Sequence, residues 1–170
     1  SAIVATPATI AIPATAQSAS PQAMGPVGLL LPVQGVPAEQ LVDTYADARG
    51  EGRVHDAIDI MAPRGTPVLA ASDGSVAKLF ASKAGGLTIY EFDPGSTWVY
   101  YYAHLDRYAD GLAEGQSLHR GEVIGYVGSS GNASPDAPHL HFEVSRLGPE
   151  KHWWQATPVN PYPLLGGKPH

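Results

Sequence analysis

The chain has 170 residues, no cysteine and a formal net charge of -6 with histidine neutral. That length suits one domain with a real core, while the acidic balance argues against nucleic-acid binding and against electrostatic docking on anionic membranes. Without cysteine there is neither a disulfide framework nor a cysteine-ligated zinc site, no apolar run approaches a transmembrane length, and no charged segment followed by an apolar core opens the chain as a secretion signal would.

Residues 1–24 are mostly Ala, Thr, Ser and Pro and carry no charge. Such a composition cannot bury a core, so the expectation is a flexible N-terminal tail. A single domain is expected over 25–165, with a short tail over 166–170. Val27 to Val36 reads as a short strand with turns, and Ala38 to Tyr45 as a helical turn leading into the Gly-rich loop Arg49 to Arg53. Ala57 to Ile60 is apolar around Asp59. Pro67 to Ala71 and Ser75 to Phe80 flank Asp73-Gly74 and read as a hairpin. Leu87 to Phe92 and Trp98 to Ala103 flank Asp93-Pro94-Gly95-Ser96 and read as a second one. Gln116 to Leu118 and Glu122 to Val127 lie either side of His119-Arg120-Gly121. A long polar loop from Gly128 to Pro138 then precedes the run His139 to Val144, and the end from Gly148 reads as an irregular cover. Short strands at this spacing predict a mostly antiparallel β domain.

Chemistry concentrates in three places. In His139-Leu140-His141-Phe142-Glu143-Val144, strand alternation puts His139, His141 and Glu143 on one face and the apolar residues on the other. The two imidazoles then stand about 6–7 Å apart at Cα, close enough for one small site. His55 and Asp59 are four residues apart, about 13 Å on a flat strand, so they meet only if the backbone bends between them. His104 ends the aromatic run Trp98-Val99-Tyr100-Tyr101-Tyr102-Ala103, and a regular strand puts Tyr100, Tyr102 and His104 on one face. By itself that run reads as an aromatic strand whose last residue is histidine, and Tyr102 as a packed or exposed aromatic. His119, His152 and His170 have no partner in the pattern and read as surface residues.

In order, His55-x3-Asp59, Tyr102-Ala103-His104-Leu105 and His139-Leu140-His141-Phe142-Glu143 resemble the signature of the lysostaphin-type zinc metalloendopeptidases. Ala62-Pro63-Arg64-Gly65-Thr66-Pro67-Val68 and Gly125-Tyr126-Val127-Gly128 resemble its connecting motifs. The likeness runs from about Leu30 to Pro161; Ala57 departs from it, standing where many relatives carry glycine. The resemblance implies an antiparallel β domain, barrel-sandwich hybrid-like, with few short helices. It implies one zinc held by His55, Asp59 and His141, and a reaction served by His104 and His139. One of these histidines would take a proton from water while the other steadies the developing oxyanion. It also implies hydrolysis of peptide bonds in bacterial peptidoglycan, with stem-peptide cross-links the expected bond. An exported, periplasmic or extracellular monomer is expected, whose partners are peptidoglycan peptides. The chain has no His-Glu-x-x-His helix, so Glu143 is not a base of that kind; its facing suggests support of a ligand or of the fold.

Two other readings compete. One is a binding module, or activator of other wall hydrolases, on the same fold, against which the complete set of five motif residues speaks. The other is a lipoyl-like carrier, suggested by Gly74-Ser75-Val76 and Glu122-Val123-Ile124-Gly125; it needs a lysine at a hairpin tip, and neither Lys78 nor Lys83 occupies one. The loop Ser129 to Asp136 enters the histidine strand directly. With the loop around Arg53 it is expected to rim a cleft for an extended peptide.

Overall fold

The computed structural model describes residues 25–49, 53–54 and 56–167. The expected N-terminal tail, part of the Arg49–Arg53 loop, His55 and the last three residues, His170 among them, lie outside the described residues.

A 3₁₀ turn, Ala38–Gln40, precedes the strands β1 (Ala48–Arg49), β2 (Arg53–Val54), β3 (Ile58–Met61), β4 (Pro67–Leu69), β5 (Gly74–Ser82) and β6 (Gly86–Phe92). They are followed by β7 (Trp98–Tyr108), β8 (Ser117–Leu118), β9 (Val123–Val127), β10 (His139–Leu147), β11 (Ala156–Val159) and the one-turn helix α1 (Pro161–Leu164). β1 pairs with β2. The rest form one antiparallel sheet of order β11-β10-β7-β6-β5-β8, with β3 added to β10 and β9 joining β4 to β7. No helix among the described residues is long and apolar enough to cross a membrane.

β10 sits at the centre of the site because it pairs with β7, β3 and β11. Its burial alternates as the sequence predicts: Leu140, Phe142 and Val144 are fully buried, while His139, His141 and Glu143 are partly exposed. The buried face packs on Ile58 and Ile60 of β3, Ile89 of β6, and Tyr100 and Tyr102 of β7. The Tyr102 and Phe142 rings lie 5.3 Å apart. Each such side chain contributes about 1.5–3 kcal/mol by leaving water, which keeps the opposite, histidine-bearing face rigid.

The second expected hairpin forms. Asp93 caps it, its Oδ1 accepting from the backbone N–H of Thr97 at 2.7 Å and of Trp98 at 2.9 Å. The first does not. β4 pairs with β9, placing Val68 opposite Gly125, while β5 pairs with β6 and β8. The Asp73 carboxylate accepts from the backbone N–H of Arg120 at 2.8 Å, so the Asp-Gly pair ties two distant segments instead of closing a tight turn. Val27 to Val36 contributes one isolated bridge, Val33 to Val68, rather than a strand. The C-terminal region is more regular than expected: β11 extends the sheet, and Asn160 caps α1 by accepting from Tyr162 N–H at 3.0 Å. Lys78 lies within β5, paired to Glu114 at 3.3 Å, and not at a hairpin tip.

Candidate functional site

Asp59 faces His141 across the β3–β10 ladder, and Met61 faces His139. Residues directly opposite in an antiparallel pair share a face, so Asp59, His139 and His141 occupy one surface of the sheet. Asp59 Oδ1 lies 3.4 Å from His141 Nδ1 and 3.6 Å from His139 Nε2. Backbone bending upstream of Asp59 is also present: β2 stops at Val54, β3 starts at Ile58, and Asp56 between them has φ 58°. His55 itself lies outside the described residues.

His104 arrives by a different route. In β7, Leu105 pairs with Leu87 but Tyr102 with Ile89, so β7 carries one extra residue against β6. This is a β-bulge. It falls where β7 leaves β10, whose last partner is Ala103, and takes up β9 at Leu105. His104 has φ 62°, a left-handed conformation uncommon outside glycine. The bulge breaks the expected alternation. Tyr102 points into the core, donating to Glu91 Oε1 at 2.6 Å and accepting from Ala71 N–H at 2.9 Å. The His104 ring instead reaches the histidine face, 5.0 Å from the His139 ring and 5.6 Å from that of His141. Tyr100, Tyr102 and His104 therefore do not share a face, and Tyr102 does not line the site.

The protonation of two rings is fixed by carbonyls. His104 Nδ1 lies 2.7 Å from Ser130 O, and His139 Nδ1 lies 2.9 Å from Ala137 O. A carbonyl only accepts, so Nδ1 carries the proton in each ring and Nε2 carries the lone pair when the ring is neutral. Burial lowers the pKa of His104, and the nearby His141 and His139 act in the same direction; the Ser130 bond and Asp59 oppose them. The loop that supplies both carbonyls is well anchored. Ser130 Oγ donates to Leu105 O at 2.6 Å and accepts from Leu87 N–H at 3.1 Å, and Gly131, with φ 74°, packs against the backbone of Gly86, where no side chain fits.

Tyr101 completes this surface. It sits opposite Glu143 in the β7–β10 ladder, its ring edge-on to His141 at 5.8 Å. Sequence reasoning passed over it, because a regular strand places it on the face away from His104. The Ser130 and Ala137 carbonyls were missed too, since backbone acceptors leave no residue-type signal. Glu143 lies on the histidine face as expected, its Oε1 accepting from Ser145 Oγ at 3.1 Å. Of the remaining histidines, His119 is exposed. His152 is more engaged than a plain surface residue, stacked on Trp154 at 4.3 Å and paired with Glu150 at 3.2 Å.

Among the described residues, no three His, Cys, Asp or Glu side chains form a ready metal-holding group. Two donors nevertheless suit one ion: a carboxylate oxygen and an imidazole nitrogen 3.4 Å apart. Ligands about 2.0–2.1 Å from a tetrahedral zinc stand about 3.3–3.4 Å from each other.

Residues 53–161 match Peptidase family M23. Over 129 residues the chain is 37% identical to an L-Ala--D-Glu endopeptidase of Bacillus subtilis, covering 72% of this chain and 38% of that protein. It is 39% identical over 113 residues to the DD-carboxypeptidase/endopeptidase Mpg of Neisseria meningitidis, covering 64% of this chain and 22% of that protein. The catalytic domain of the antimicrobial peptidase lysostaphin from Staphylococcus simulans superposes with TM-score 0.60 at 30% identity, over 71% of this chain and 86% of that one. The chain thus spans well under half the length of these two curated relatives. A β-sheet carrying three clustered histidines and an aspartate on one face, matched by that profile over most of the sheet, places the chain in peptidase family M23.

Proposed function

We propose that this chain is a zinc-dependent endopeptidase acting on the peptide part of bacterial peptidoglycan, with cross-links between stem peptides as the bond cut. The observation that carries the proposal is the convergence of His104, His139, His141 and Asp59, from three strands, on one surface. A merely solvated histidine strand has no reason to recruit a bulged, left-handed residue to it. The names of the two curated relatives, an L-Ala--D-Glu endopeptidase and a DD-carboxypeptidase/endopeptidase, support peptides that contain D-amino acids as the substrate class, and the second supports a bond between two D-centres.

Asp59 and His141 would hold the zinc together with His55. Bound there, the ion would lower the pKa of water to about 7 and polarise the scissile carbonyl. The His104 and His139 rings lie 5.0 Å apart, each with Nδ1 committed to a carbonyl, so that Nε2 is the nitrogen left to exchange a proton. One can accept the proton of the attacking water at Nε2. The other, protonated there, donates to the oxyanion and then to the leaving amine. The peptide then lies along the exposed face beside β10, rimmed by the Ser129–Asp136 loop. Envelope export and action as a monomer belong to the same proposal.

The test is digestion of purified cross-linked peptidoglycan by the zinc-loaded protein, followed by mass spectrometry of the muropeptides. Conversion of cross-linked dimers to monomers is expected. Shortened glycan strands with intact cross-links, or an undigested wall, would overturn the proposal. Casein cleaved as efficiently would show a much broader peptidase.

A further inference from the structure

One residue of the histidine face has no task in the proposed reaction. Tyr101 precedes the core residue Tyr102, so its ring lies on the opposite side of β7, across from Glu143 of β10 and Tyr90 of β6. That ring stands edge-on to His141, 5.8 Å away with 83° between the planes, and 4.7 Å from the Tyr90 ring. Trp153, from the segment before β11, folds over Tyr90 at 4.6 Å. The row Trp153, Tyr90, Tyr101 therefore ends on the His141 imidazole. The hydroxyl of Tyr101 meets a different part of the site. A β-carbon added to Gly85 would collide with it, and would meet Thr88 Cγ2 at 2.9 Å and Ser82 Oγ at 3.2 Å. The backbone of Gly85 is not left-handed, so glycine is required there by space and not by conformation, and the Tyr101 hydroxyl is the nearest atom in that space. Gly85 belongs to the turn between β5 and β6. Its N–H donates to Ser82 Oγ at 2.9 Å, and its carbonyl accepts from His104 N–H at 2.8 Å.

We propose that Tyr101 is a positioning residue that couples the two halves of the site: its ring sets the plane of His141, and its hydroxyl holds the β5–β6 turn against His104. The proposal deepens the peptidase reading above and rests on it. The torsion that turns an imidazole about its own axis is soft, so an edge-on aromatic neighbour selects the ring plane of His141. The left-handed backbone of His104 persists only while its surroundings impose it, and Gly85 O is one of the groups that do. Displacing the turn by a few tenths of an ångström lengthens that bond and frees the histidine that the bulge has turned. Burial pushes the pKa of the Tyr101 hydroxyl up, and Tyr90 and Glu143 add to it, so the group stays neutral and brings no charge beside a zinc ligand. Phenylalanine would supply the ring alone; the hydroxyl is what reaches Gly85.

The test uses the full chain and the variants Tyr101→Phe and Tyr101→Leu. Three quantities are read: zinc affinity by competition with a chelator, amide hydrogen exchange at His104 by NMR of the zinc-free protein, and kcat and KM on cross-linked muropeptides. Tyr101→Phe keeps the ring and loses the hydroxyl. It should exchange the His104 amide about tenfold faster and lose about tenfold in kcat, the scale of a small misplacement, with KM and zinc affinity within about twofold of wild type. Tyr101→Leu loses the ring as well, and should in addition bind zinc about tenfold more weakly, as removal of a group that orients a ligand does. Gly85→Ala should reproduce the Tyr101→Phe loss in kcat, and the double variant should lose less than the two single losses combined, because the methyl enters the place the hydroxyl has left. Wild-type kcat and His104 exchange in Tyr101→Phe would overturn the proposal, and so would unchanged zinc affinity in Tyr101→Leu. Were the wild type to hydrolyse nothing, the peptidase reading would fail, while faster His104 exchange in the first variant and weaker zinc binding in the second would still support the coupling.

Discussion

β10 and β7 both deliver histidines to the same surface, and they do so by opposite means. β10 is regular: period-two alternation puts His139 and His141 out and Leu140, Phe142 and Val144 in. β7 is regular up to Ala103 and then irregular where it matters. An extra residue and a positive φ turn His104 from the face its parity dictates to the other one. A left-handed non-glycine residue costs on the order of 1–3 kcal/mol and persists only where the surroundings impose it. Here they do: His104 N–H donates to Gly85 O at 2.8 Å, its ring is held by Ser130 O, and the strand changes partner from β10 to β9 across it. The regular strand positions its histidines by burying their neighbours. The irregular one positions its histidine with hydrogen bonds from a loop and a turn.

The largest expected break in this comparison is His141→Ala. It removes the donor that faces Asp59, and the protein should lose its zinc, from about one ion per chain, together with all measurable hydrolysis. Elemental analysis after dialysis reads it; zinc kept at wild-type affinity would refute the ligand assignment. Next in size are His104→Ala and His139→Ala. Each should retain zinc and lose activity by about a hundredfold or more, the scale of acid–base or oxyanion assistance. Metal lost along with activity in either variant would make that histidine a ligand.

Ser130→Ala sharpens the contrast, because Ser130 serves the bulged arm. The substitution leaves Leu105 O and Leu87 N–H without their hydroxyl partner. Turnover should fall about tenfold through misplacement of His104, with zinc content unchanged. A parallel loss of zinc would mean that the loop supports the whole site rather than His104.

The smallest effect on activity is expected beneath the bulge. Tyr102→Phe leaves Ala71 N–H and buried Glu91 without the phenol, and should cost about 1–3 kcal/mol of stability while kcat stays within about twofold. Burial pushes the Glu91 carboxyl up to about 8 from an ordinary 4.5; Tyr102 opposes the rise, and Asp73, Asp93 and Glu122 add to it. The folded state therefore keeps a proton that the unfolded chain releases. This stabilisation is complete below about pH 4.5 and is lost as pH rises through about 8. Melting curves from pH 5 to 9 should show that decline in the wild type and a flatter one in Glu91→Gln; an unchanged slope would place the titrating group elsewhere.

The sequence by itself determined whatever depends on covalent geometry and local chemistry. Alternation along His139 to Leu147 follows from the pleat of any strand. The Asp93–Ser96 turn follows from a short carboxylate that caps its own following N–H groups. The order of the motifs fixed which histidines to suspect. Long-range pairing lay beyond it. Whether Asp73-Gly74 closes a hairpin or ties β5 to Arg120 depends on β4 finding β9 about 55 residues away, a choice made by burial of Val68 and not by turn propensity. The face of His104 lay beyond it for the same reason. One residue of slip inverts every side chain after it, and a bulge is set by the strands on either side rather than by the residues within it. Only tertiary structure brought Trp153 over Tyr90 and the Ser130 carbonyl to His104, because contacts between distant segments are decided by the packing of the whole sheet.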